Sequence, residues 1–304
     1  MQADYRSILL LYHTGAGSGL AGRVVPEVAQ ALQALYPHAQ LEMVETKSKE
    51  HIKEIGRSSK HQVIFCLSGD GSVHDLGQAL VERKDPERPI LASIPAGSGN
   101  DYARTLGFPL DPLKAVAILP ECEPVKVDVG KVNDTYFLET LSFGMDAAVA
   151  LNTEDLRLTT KTRGTLLYAH AAINAIIHDF SAHQIKVKLP DEEFTLTSLL
   201  LAVQNGQTYG GGFRVAPRAS ITDGLLDVYF VSGISKPTAL YYLTKMKGGK
   251  HEQLKGCTYY STPEIILEFA EQPPAQCDGE RLLGTTFTVS VLPAAIEVLM
   301  RGKN

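Results

Sequence analysis

The sequence predicts two domains, an α/β domain followed by a mostly β domain. Two observations carry this prediction. Up to about residue 120, short apolar runs typical of buried strands alternate with stretches of helical spacing, and beyond it strand-like runs dominate. The length of 304 residues is ample for two hydrophobic cores. We place the first domain at 1–122 and the second at 123–292, and we expect the tail, 293–304, to return to the first domain.

Composition places the chain among soluble globular proteins. Apolar residues make up 44% and charged residues 21%, and the net charge of −5 argues against a general nucleic-acid binder. Four scattered cysteines without metal-like spacing are typical of a reduced, cytoplasmic protein. The N-terminus lacks a signal-peptide layout, and no apolar run approaches the roughly 20 residues that span a bilayer. A membrane lipid substrate would therefore be reached peripherally, at the inner membrane surface.

The first domain reads as strands that alternate with helices, which predicts a mostly parallel sheet flanked by helices. The apolar residues between 24 and 35 recur at helical spacing, and Pro37 ends that stretch. The predicted strands are 8–12, 40–46, 63–67 and 90–94, and the predicted helices are 24–35, 49–57 and 75–83.

Three glycine-rich turns follow three of these strands, at residues 13–19, 68–72 and 95–101. Because the carboxyl ends of parallel strands share one edge, we expect the turns to lie together and to bind a ligand. Gly69 and Gly71 lack the Cβ atoms that would keep a phosphate from backbone N–H groups. A carboxylate is a poor phosphate ligand, so Asp70 would act through a metal ion or its waters. The alternative is that Asp70 only caps the following helix.

The sequence of the second domain predicts a series of strands with two helices. A turn at residues 133–134 joins the first two strands into a hairpin. Periodic apolar residues in the helix at 165–177 favour a core position over a lipid groove. The helix at 240–251 ends in clustered lysines, which indicate a solvated face, or alternatively contact with anionic lipid head groups. The predicted strands are 125–129, 136–141, 184–188, 199–203, 258–261, 264–269 and 286–292.

Two segments carry a resemblance to a known family. Residues 68–72, Ser-Gly-Asp-Gly-Ser, resemble the Gly-Gly-Asp-Gly-Thr signature of the diacylglycerol kinase catalytic domain, whose superfamily includes sphingosine kinases and, more distantly, NAD kinases. Residues 95–104 resemble its second signature, Pro-x-Gly-Thr-x-Asn-Asp-Phe-Ala-Arg. Further similar segments run through most of the chain, which looks most like a soluble bacterial lipid kinase of this superfamily. Ser68, in place of glycine, and His74-Asp75, in place of Asn-Glu, depart from the pattern.

The resemblance implies an ATP-binding domain of the NAD kinase and diacylglycerol kinase type, followed by a β-sandwich domain that contributes lipid-acceptor and catalytic residues. It implies ATP and Mg²⁺ as cofactors, with Asp70 organising the reactive Mg²⁺ and the phosphates. The implied ATP-binding residues are Gly15, Gly17, Thr46, Ser68, Gly69, Asp70, Gly71, Ser72, His74, Gly97, Ser98, Asn100 and Asp101.

The same resemblance assigns roles in the second domain. Glu280 is the implied general base with Asp278 as its support, whereas the residues alone favour an ordinary hairpin. Asp223 would hold a structural Mg²⁺ with backbone oxygens near Ser220 and Leu225, since a hard cation prefers oxygen ligands. The alternative is a simple Asp-Gly turn.

The resemblance implies a kinase that phosphorylates a lipid hydroxyl, with diacylglycerol as the first choice and phosphatidic acid for phospholipid biosynthesis as the product. A sphingoid base or another lipid alcohol comes next, and NAD is a weaker alternative acceptor. A non-catalytic protein that binds nucleotide or lipid is a different class of answer, which the retained Asp70, Asp101, Asp278 and Glu280 disfavour. A nucleic-acid partner has no supporting feature, and a homodimer stays open.

Overall fold

A computed structural model describes residues 4–84, 87–159, 165–178 and 180–302. The chain divides into two compact units. Unit 1 comprises Met1–Val127 with Ala294–Asn304, and unit 2 comprises Asp128–Pro293.

Unit 1 is built on a parallel sheet with strand order β2-β1-β3-β4. Buried apolar side chains fill both faces of its central strands, and all six residues of β3 are buried. This is the environment that unbroken apolar strands require. The strands are β1 (Ser7–Tyr12), β2 (Gln40–Glu45), β3 (Val63–Ser68) and β4 (Ile90–Pro95), and the helices are α1 (Ala16–Leu35), α2 (Lys49–Ser58), α3 (Asp70–Glu82), α4 (Asp101–Thr105) and α5 (Pro112–Ala117).

The predicted strands of unit 1 are confirmed, but two helices begin earlier than predicted. Residues 17–19 near the start of α1 have left-handed backbone angles that interrupt it, so its regular turns begin after Gly19. Helix α3 begins at Asp70 rather than at residue 75, since Gly69 is extended and takes the N-cap position. The glycine turn after β3 is therefore shorter than the sequence suggests, whereas residues 17–19 of the turn after β1 are non-helical, as predicted.

The described residues of unit 2 form two sheets and three helices. The six-stranded sheet has the order β12-β11-β10-β7-β14-β15, and in the other sheet β13 pairs with β8 and with the first part of β16. The strands are β5 (Cys122–Val132), β6 (Thr135–Phe137), β7 (Thr140–Gly144), β8 (His183–Lys188), β9 (Glu193–Ser198), β10 (Leu200–Gln204), β11 (Leu226–Val231), β12 (Cys257–Thr262), β13 (Glu264–Phe269), β14 (Ala275–Cys277), β15 (Glu280–Arg281) and β16 (Thr286–Arg301), and the helices are α6 (Met145–Thr159), α7 (Thr165–His178) and α8 (Lys236–Met246).

Aromatic side chains join the two sheets of unit 2 face to face. The ring of Phe143 on β7 lies 5.1 Å from that of Phe269 and 4.8 Å from that of Phe287, which belong to the other sheet. These rings lie in one buried cluster with residues from both sheets. The fold class predicted for this part of the chain, a mostly β sandwich, is confirmed.

The helices of unit 2 pack on the outer face of the six-stranded sheet. Successive side chains of β10 point to opposite faces of this sheet. Leu201 and Val203 lie in the sandwich core, whereas Leu200 and Ala202 lie in a second cluster with Tyr242 of α8. Among the described residues, no helix is long and apolar enough to cross a membrane.

Strands β9 and β11 of unit 2 were not predicted, and three further elements differ from the prediction. Helix α6 was not predicted, because polar residues in its second half obscure the helical spacing. Helix α8 starts at Lys236, where the Ser235 hydroxyl accepts a hydrogen bond from Thr238 N, and it ends before Gly249, whose φ is +67°. Strand β16 continues past residue 292 to Arg301, although Ala294 interrupts it with a φ of +50°.

The last residues of β16 belong to unit 1. Val298 pairs in parallel with Leu91 of β4, so this segment adds a strand to the unit 1 sheet. Arg301 forms an ion pair with Glu121, at 2.7 Å between Nη2 and Oε2.

Candidate active site

The three glycine-rich turns of unit 1 follow neighbouring strands. Tyr12 at the end of β1 pairs with Leu67 of β3, and Ser68 at the end of β3 pairs with Pro95 of β4. The turns that follow these strands therefore lie side by side at one edge of the sheet, as we expected for a ligand-binding edge.

Glycine is required where these turns touch. A Cβ atom on Gly97 would lie 2.4 Å from the Cα atom of Gly69. A Cβ atom on Gly17 would lie 2.2 Å from the carbonyl oxygen of Ala96, and Gly17 also has a φ of +58°. The absence of side chains at these positions lets the three turns pack directly on one another.

Gly71 has a different reason to be glycine. Apart from its chain neighbours and the backbone of its own helix, no described atom lies within 4 Å of the position that its Cβ would occupy, so the space beside the first turn of α3 is open. The first N–H groups of a helix have no acceptor within that helix, and they favour an anion. Beside this turn, the hydroxyl oxygens of Ser68 and Ser72 lie 2.8 Å apart. The open first turn of α3 fits a phosphate group.

The side chain of Asp70 points back to the neighbouring turn. Its carboxylate accepts hydrogen bonds from Asn100 N, at 2.6 Å, and from Tyr102 N, at 3.2 Å. Burial raises the pKa of Asp70 above its usual range, and the nearby carboxyl of Asp101 raises this pKa further. Asp70 thus connects the β3 turn to the β4 turn and is also a carboxyl that binds protons unusually well.

Asn100 and Asp101 build the β4 turn itself. The Asn100 backbone is left-handed, with a φ of +58°, and its side-chain Oδ1 accepts a hydrogen bond from Gly97 N at 2.8 Å. Its Nδ2 donates to Gly97 O at 3.0 Å. Arg104 donates to Gly99 O and to Asp101 Oδ1. Two predicted ATP-binding residues therefore use their side chains to shape the loop around Ser98.

The other predicted ATP-binding residues lie around this edge or behind it. Gly15 takes the N-cap position of α1, and Thr46 follows β2, where its N–H donates to Tyr12 O at 2.8 Å. His74 is buried within α3, and its neighbour Asp75 forms a 3.5 Å ion pair with Lys53. The departures from the family pattern at 74 and 75 thus fall on the packed side of α3 rather than in the glycine turn.

The carboxylates predicted in unit 2 lie on a two-residue hairpin between β14 and β15. Asp278 and Gly279 both have positive φ, +47° and +96°, as a type I′ turn requires. The Asp278 carboxylate accepts hydrogen bonds from the N–H groups of Leu138, Glu139 and Thr140, at 2.6, 3.1 and 2.8 Å. The hairpin interpretation is confirmed, and Asp278 holds the turn in place.

Glu280 is the exposed carboxylate of this hairpin, directly after the turn that Asp278 fixes. The buried Gln276 supports the turn from the other side, since its Oε1 accepts from Gly279 N at 2.7 Å. Glu280 is therefore a solvent-facing carboxylate directly after a turn that hydrogen bonds hold in place.

The predicted Mg²⁺ residues lie on another tight turn of unit 2. Asp223 is exposed, and its Oδ1 accepts from Leu225 N at 3.1 Å, while Gly224 between them has a φ of +74°. The turn interpretation is thus correct. One carboxylate together with the backbone oxygens of Ser220 and Leu225 is a donor set of the kind that a hard cation accepts.

Two further polar residues organise this part of unit 2, and sequence reasoning did not assign them a role. Asp128 Oδ2 accepts from Gly224 N at 2.7 Å, and Asn205 Nδ2 donates to Asp128 O at 3.0 Å and to Leu138 O at 2.8 Å. Asn205 lies in one of the further segments that resemble the family, and this resemblance could have identified it. Asp128 follows no recognisable motif.

A third residue without an assigned role is the buried Asp146 at the start of α6. Burial raises its pKa to about 7, against the opposing effect of hydrogen bonds with Ser142 and Tyr209. Its segment also resembles the family, but nothing in the sequence shows that this aspartate is buried.

Comparisons with known proteins identify the family. The diacylglycerol kinase catalytic domain matches residues 7–132, and the YegS C-terminal NAD kinase beta sandwich-like domain matches residues 139–300. A protein of Chromohalobacter salexigens named "Probable lipid kinase YegS-like" is 30% identical, over 77% of this chain and 74% of its own. A protein of the same name from Pectobacterium atrosepticum is 25% identical, over 97% of this chain and 96% of its own.

Solved structures show the same fold. A diacylglycerol kinase from Bacillus anthracis str. Sterne matches with a TM-score of 0.81 and 23% identity, over 98% of each chain. Together with the two domain matches, this agrees with the α/β unit followed by a β sandwich. The chain belongs to the YegS-like family of the diacylglycerol kinase superfamily, and it is a kinase.

Proposed function

We propose that the protein is an ATP- and Mg²⁺-dependent lipid kinase that phosphorylates a lipid hydroxyl, with diacylglycerol as the first candidate acceptor. The observation that carries the nucleotide side is the contact of the β3 and β4 glycine turns, 2.4 Å from Gly69 Cα to a Cβ placed on Gly97, beside the open space at Gly71. The lipid acceptor is supported by the relatives, two of which carry the name "Probable lipid kinase YegS-like".

Unit 1 would bind ATP through backbone groups. The first turn of α3 offers N–H groups next to Gly71, and the turn around Ser98 and the loop at residues 15–19 flank it. Phosphoryl transfer depends mainly on positioning and on charge stabilisation, so rigid turns of this kind suit it. The hydrogen bonds of Asp70 and Asn100 keep the turns rigid.

Mg²⁺ would neutralise charge on the phosphates, which is the chemistry that this ion supplies in kinases. Asp70 is the carboxyl next to the open turn, so it is the residue we assign to organise the reactive ion. Asp223, with backbone oxygens of Ser220 and Leu225, would hold a structural Mg²⁺ in unit 2.

Unit 2 would supply the proton acceptor. Glu280 is exposed on its hairpin, and we assign it to remove the proton from the acceptor hydroxyl. Asp278 is engaged with three backbone N–H groups, which supports a positioning role rather than direct proton transfer.

The test is transfer of label from ATP, labelled at its γ-phosphate, to lipids in mixed micelles with Mg²⁺. The acceptors are diacylglycerol, sphingosine and ceramide, with NAD in a lipid-free reaction. We expect label in diacylglycerol, and a loss of about 10²-fold or more in Glu280→Gln, as general-base catalysis implies. Glu264→Gln, an exposed carboxylate on β13, is the matched control and should leave the rate unchanged.

The outcomes separate the alternatives. Label in sphingosine alone would change the acceptor, and label in NAD alone would overturn the lipid assignment. ATP binding without any transfer would favour a non-catalytic nucleotide-binding protein. Normal turnover in Glu280→Gln would remove Glu280 from the role of base.

A further inference from the structure

Strand β2 lies at the end of the parallel sheet of unit 1, and its last residue is Glu45. Glu45 pairs with Tyr12, the last residue of β1, and Thr46 N then donates to Tyr12 O at 2.8 Å. The carboxyl end of β2 therefore lies next to the glycine turn that follows β1. Glu45 is thus an exposed carboxylate at the edge of the sheet that carries the glycine turns.

A hydrogen bond orients the side chain of Glu45. Its Oε1 atom accepts from the hydroxyl of Thr14, in the turn after β1, at 2.5 Å. Thr14 is itself held against α1, since Gly22 N donates to Thr14 O at 3.3 Å. Among the described residues this is the one hydrogen bond of the Glu45 carboxylate, so its Oε2 atom is available to a ligand.

The place of Glu45 along the edge indicates which part of a nucleotide it would meet. The open first turn of α3, which fits a phosphate, follows β3, and β1 lies between β3 and β2. Neighbouring strands are about 4.8 Å apart, so Glu45 lies roughly 10 Å along the edge from that turn. This separation is comparable to the length of an extended triphosphate. Because two negative groups repel each other, Glu45 would face the nucleoside rather than the phosphates.

The chemistry of a carboxylate limits what it recognises. An ionised carboxylate only accepts hydrogen bonds, so its ligand must present donors. A ribose presents two neighbouring hydroxyl donors, and in dinucleotide-binding α/β folds an acidic side chain binds a ribose hydroxyl. Glu45 has a suitable position and an available oxygen atom for the same contact.

We propose that Glu45, oriented by Thr14, binds a ribose hydroxyl of the nucleotide and makes the site selective for ribonucleoside triphosphates over their deoxy analogues. The inference rests on the proposed function, because the nucleotide is taken to bind at the glycine turns. Glu45 is then a specificity-determining residue, and Thr14 is a positioning residue that acts through it.

The experiment measures nucleotide binding by the full chain, with Mg²⁺ and without an acceptor lipid. Isothermal titration calorimetry gives Kd for ATP, 2′-deoxy-ATP and 3′-deoxy-ATP. We expect the wild type to bind ATP about tenfold more tightly than at least one deoxy analogue, as loss of a hydrogen bond to a charged group implies. In Glu45→Ala the Kd values for ATP and for that analogue should become equal.

The ratio of the two Kd values separates recognition of the ribose from the general effect of charge. Removing a negative charge near the phosphates strengthens binding of ATP and of both analogues alike, which leaves their ratio unchanged. Glu42→Ala is the matched control, because Glu42 is an exposed carboxylate earlier on the same strand and pairs with His61 at 3.3 Å. This variant should keep the wild-type ratio.

Thr14 provides a second test, which leaves the carboxylate in place. Thr14→Val keeps the shape of the side chain but removes the hydroxyl that donates to Glu45, so the ratio should fall between those of the wild type and Glu45→Ala. Thr14→Ser restores the hydroxyl and should restore the ratio. A merely structural role of Thr14 would change thermal unfolding and leave the ratio unchanged.

Two outcomes would overturn the proposal directly. One is equal Kd values for ATP and both deoxy analogues in the wild type, and the other is an unchanged ratio in Glu45→Ala. Selection of ATP over GTP that is lost in Glu45→Ala, while the deoxy ratios stay as in the wild type, would assign Glu45 to the base and overturn the contact with the ribose.

Further outcomes separate this inference from the proposed function. Ribose selectivity that depends on Glu45, without label transfer to any lipid, supports the inference and rejects the lipid kinase assignment. Lipid phosphorylation that uses both deoxy analogues as well as ATP supports the proposed function and rejects the inference. Absence of binding by all three nucleotides would reject both.

Discussion

Two Asp-Gly turns, one in each unit, look alike in sequence and are built alike in part. Asp70 of unit 1 accepts hydrogen bonds from Asn100 N and Tyr102 N, and Asp278 of unit 2 accepts from three consecutive N–H groups at 138–140. In both turns the aspartate connects its own segment to a distant one.

The surroundings of the two aspartates differ. Asp70 lies beside the carboxyl of Asp101 and next to the open turn at Gly71, and its pKa is raised by burial and by that neighbour. Asp278 is followed by Glu280, which is the exposed group of its hairpin. The comparison shows that the same Asp-Gly motif can place its carboxylate beside another carboxyl and an open turn, or bind it entirely to backbone N–H groups.

The largest expected effect concerns Asp70. We expect Asp70→Ala to lower kcat about 10²–10³-fold, the usual cost of removing a preorganised charge-stabilising group. Asp70→Asn keeps the shape and one acceptor oxygen, so it should fold normally and still lose most of the turnover. Steady-state kinetics with Mg²⁺ and thermal unfolding measure the two effects. Near-normal turnover in Asp70→Asn would reduce Asp70 to a connecting role like that of Asp278.

Asp146 gives a contrast within unit 2, because its pKa is raised by burial without a neighbouring charge among its causes. A carboxyl with a folded-state pKa of about 7, above its ordinary 3.8, stabilises the fold less as the pH rises from 4 to 7. Asp146→Asn should therefore be more stable than the wild type at pH 8, by about 2–4 kcal/mol, and not at pH 4. Urea unfolding of both proteins at the two pH values measures this difference, and an equal difference at both would contradict it.

Asp278→Ala should act mainly on stability. It leaves three N–H groups without their acceptor, so we expect a free energy of unfolding about 2–3 kcal/mol lower than in the wild type. Asp278→Asn keeps one acceptor oxygen, so its free energy of unfolding should fall less than that of Asp278→Ala. Denaturant titration gives the values, and normal stability with lost turnover would instead make Asp278 a catalytic residue.

The smallest expected effects concern Gly97 and Gly71, which should respond differently to substitution by alanine. Gly97→Ala should lower the free energy of unfolding by about 1–3 kcal/mol, because its methyl group overlaps Gly69. Gly71→Ala meets no atom and should leave stability unchanged while weakening ATP binding. Thermal unfolding and nucleotide titration check this pair. Unchanged ATP affinity in Gly71→Ala would place the phosphates elsewhere.

Local sequence determined a large part of this protein. The apolar strands, the glycine turns after them and the hairpin at Asp278-Gly279 depend on neighbouring residues, since strand propensity and turn geometry are short-range properties. The family motifs at 68–72 and 95–104 then indicated the kinase class, which the comparisons confirm.

The tertiary structure alone decided what the polar side chains do. Asp70 reaches a partner 30 residues away and Asp128 one 96 residues away, and no local pattern records such pairs. Helix α6 and the burial of Asp146 likewise depend on packing against strands that come later in the chain. The spacing of residues in the sequence predicts which helix or strand they belong to. Hydrogen bonds and burial between distant helices and strands exist only once the chain is folded.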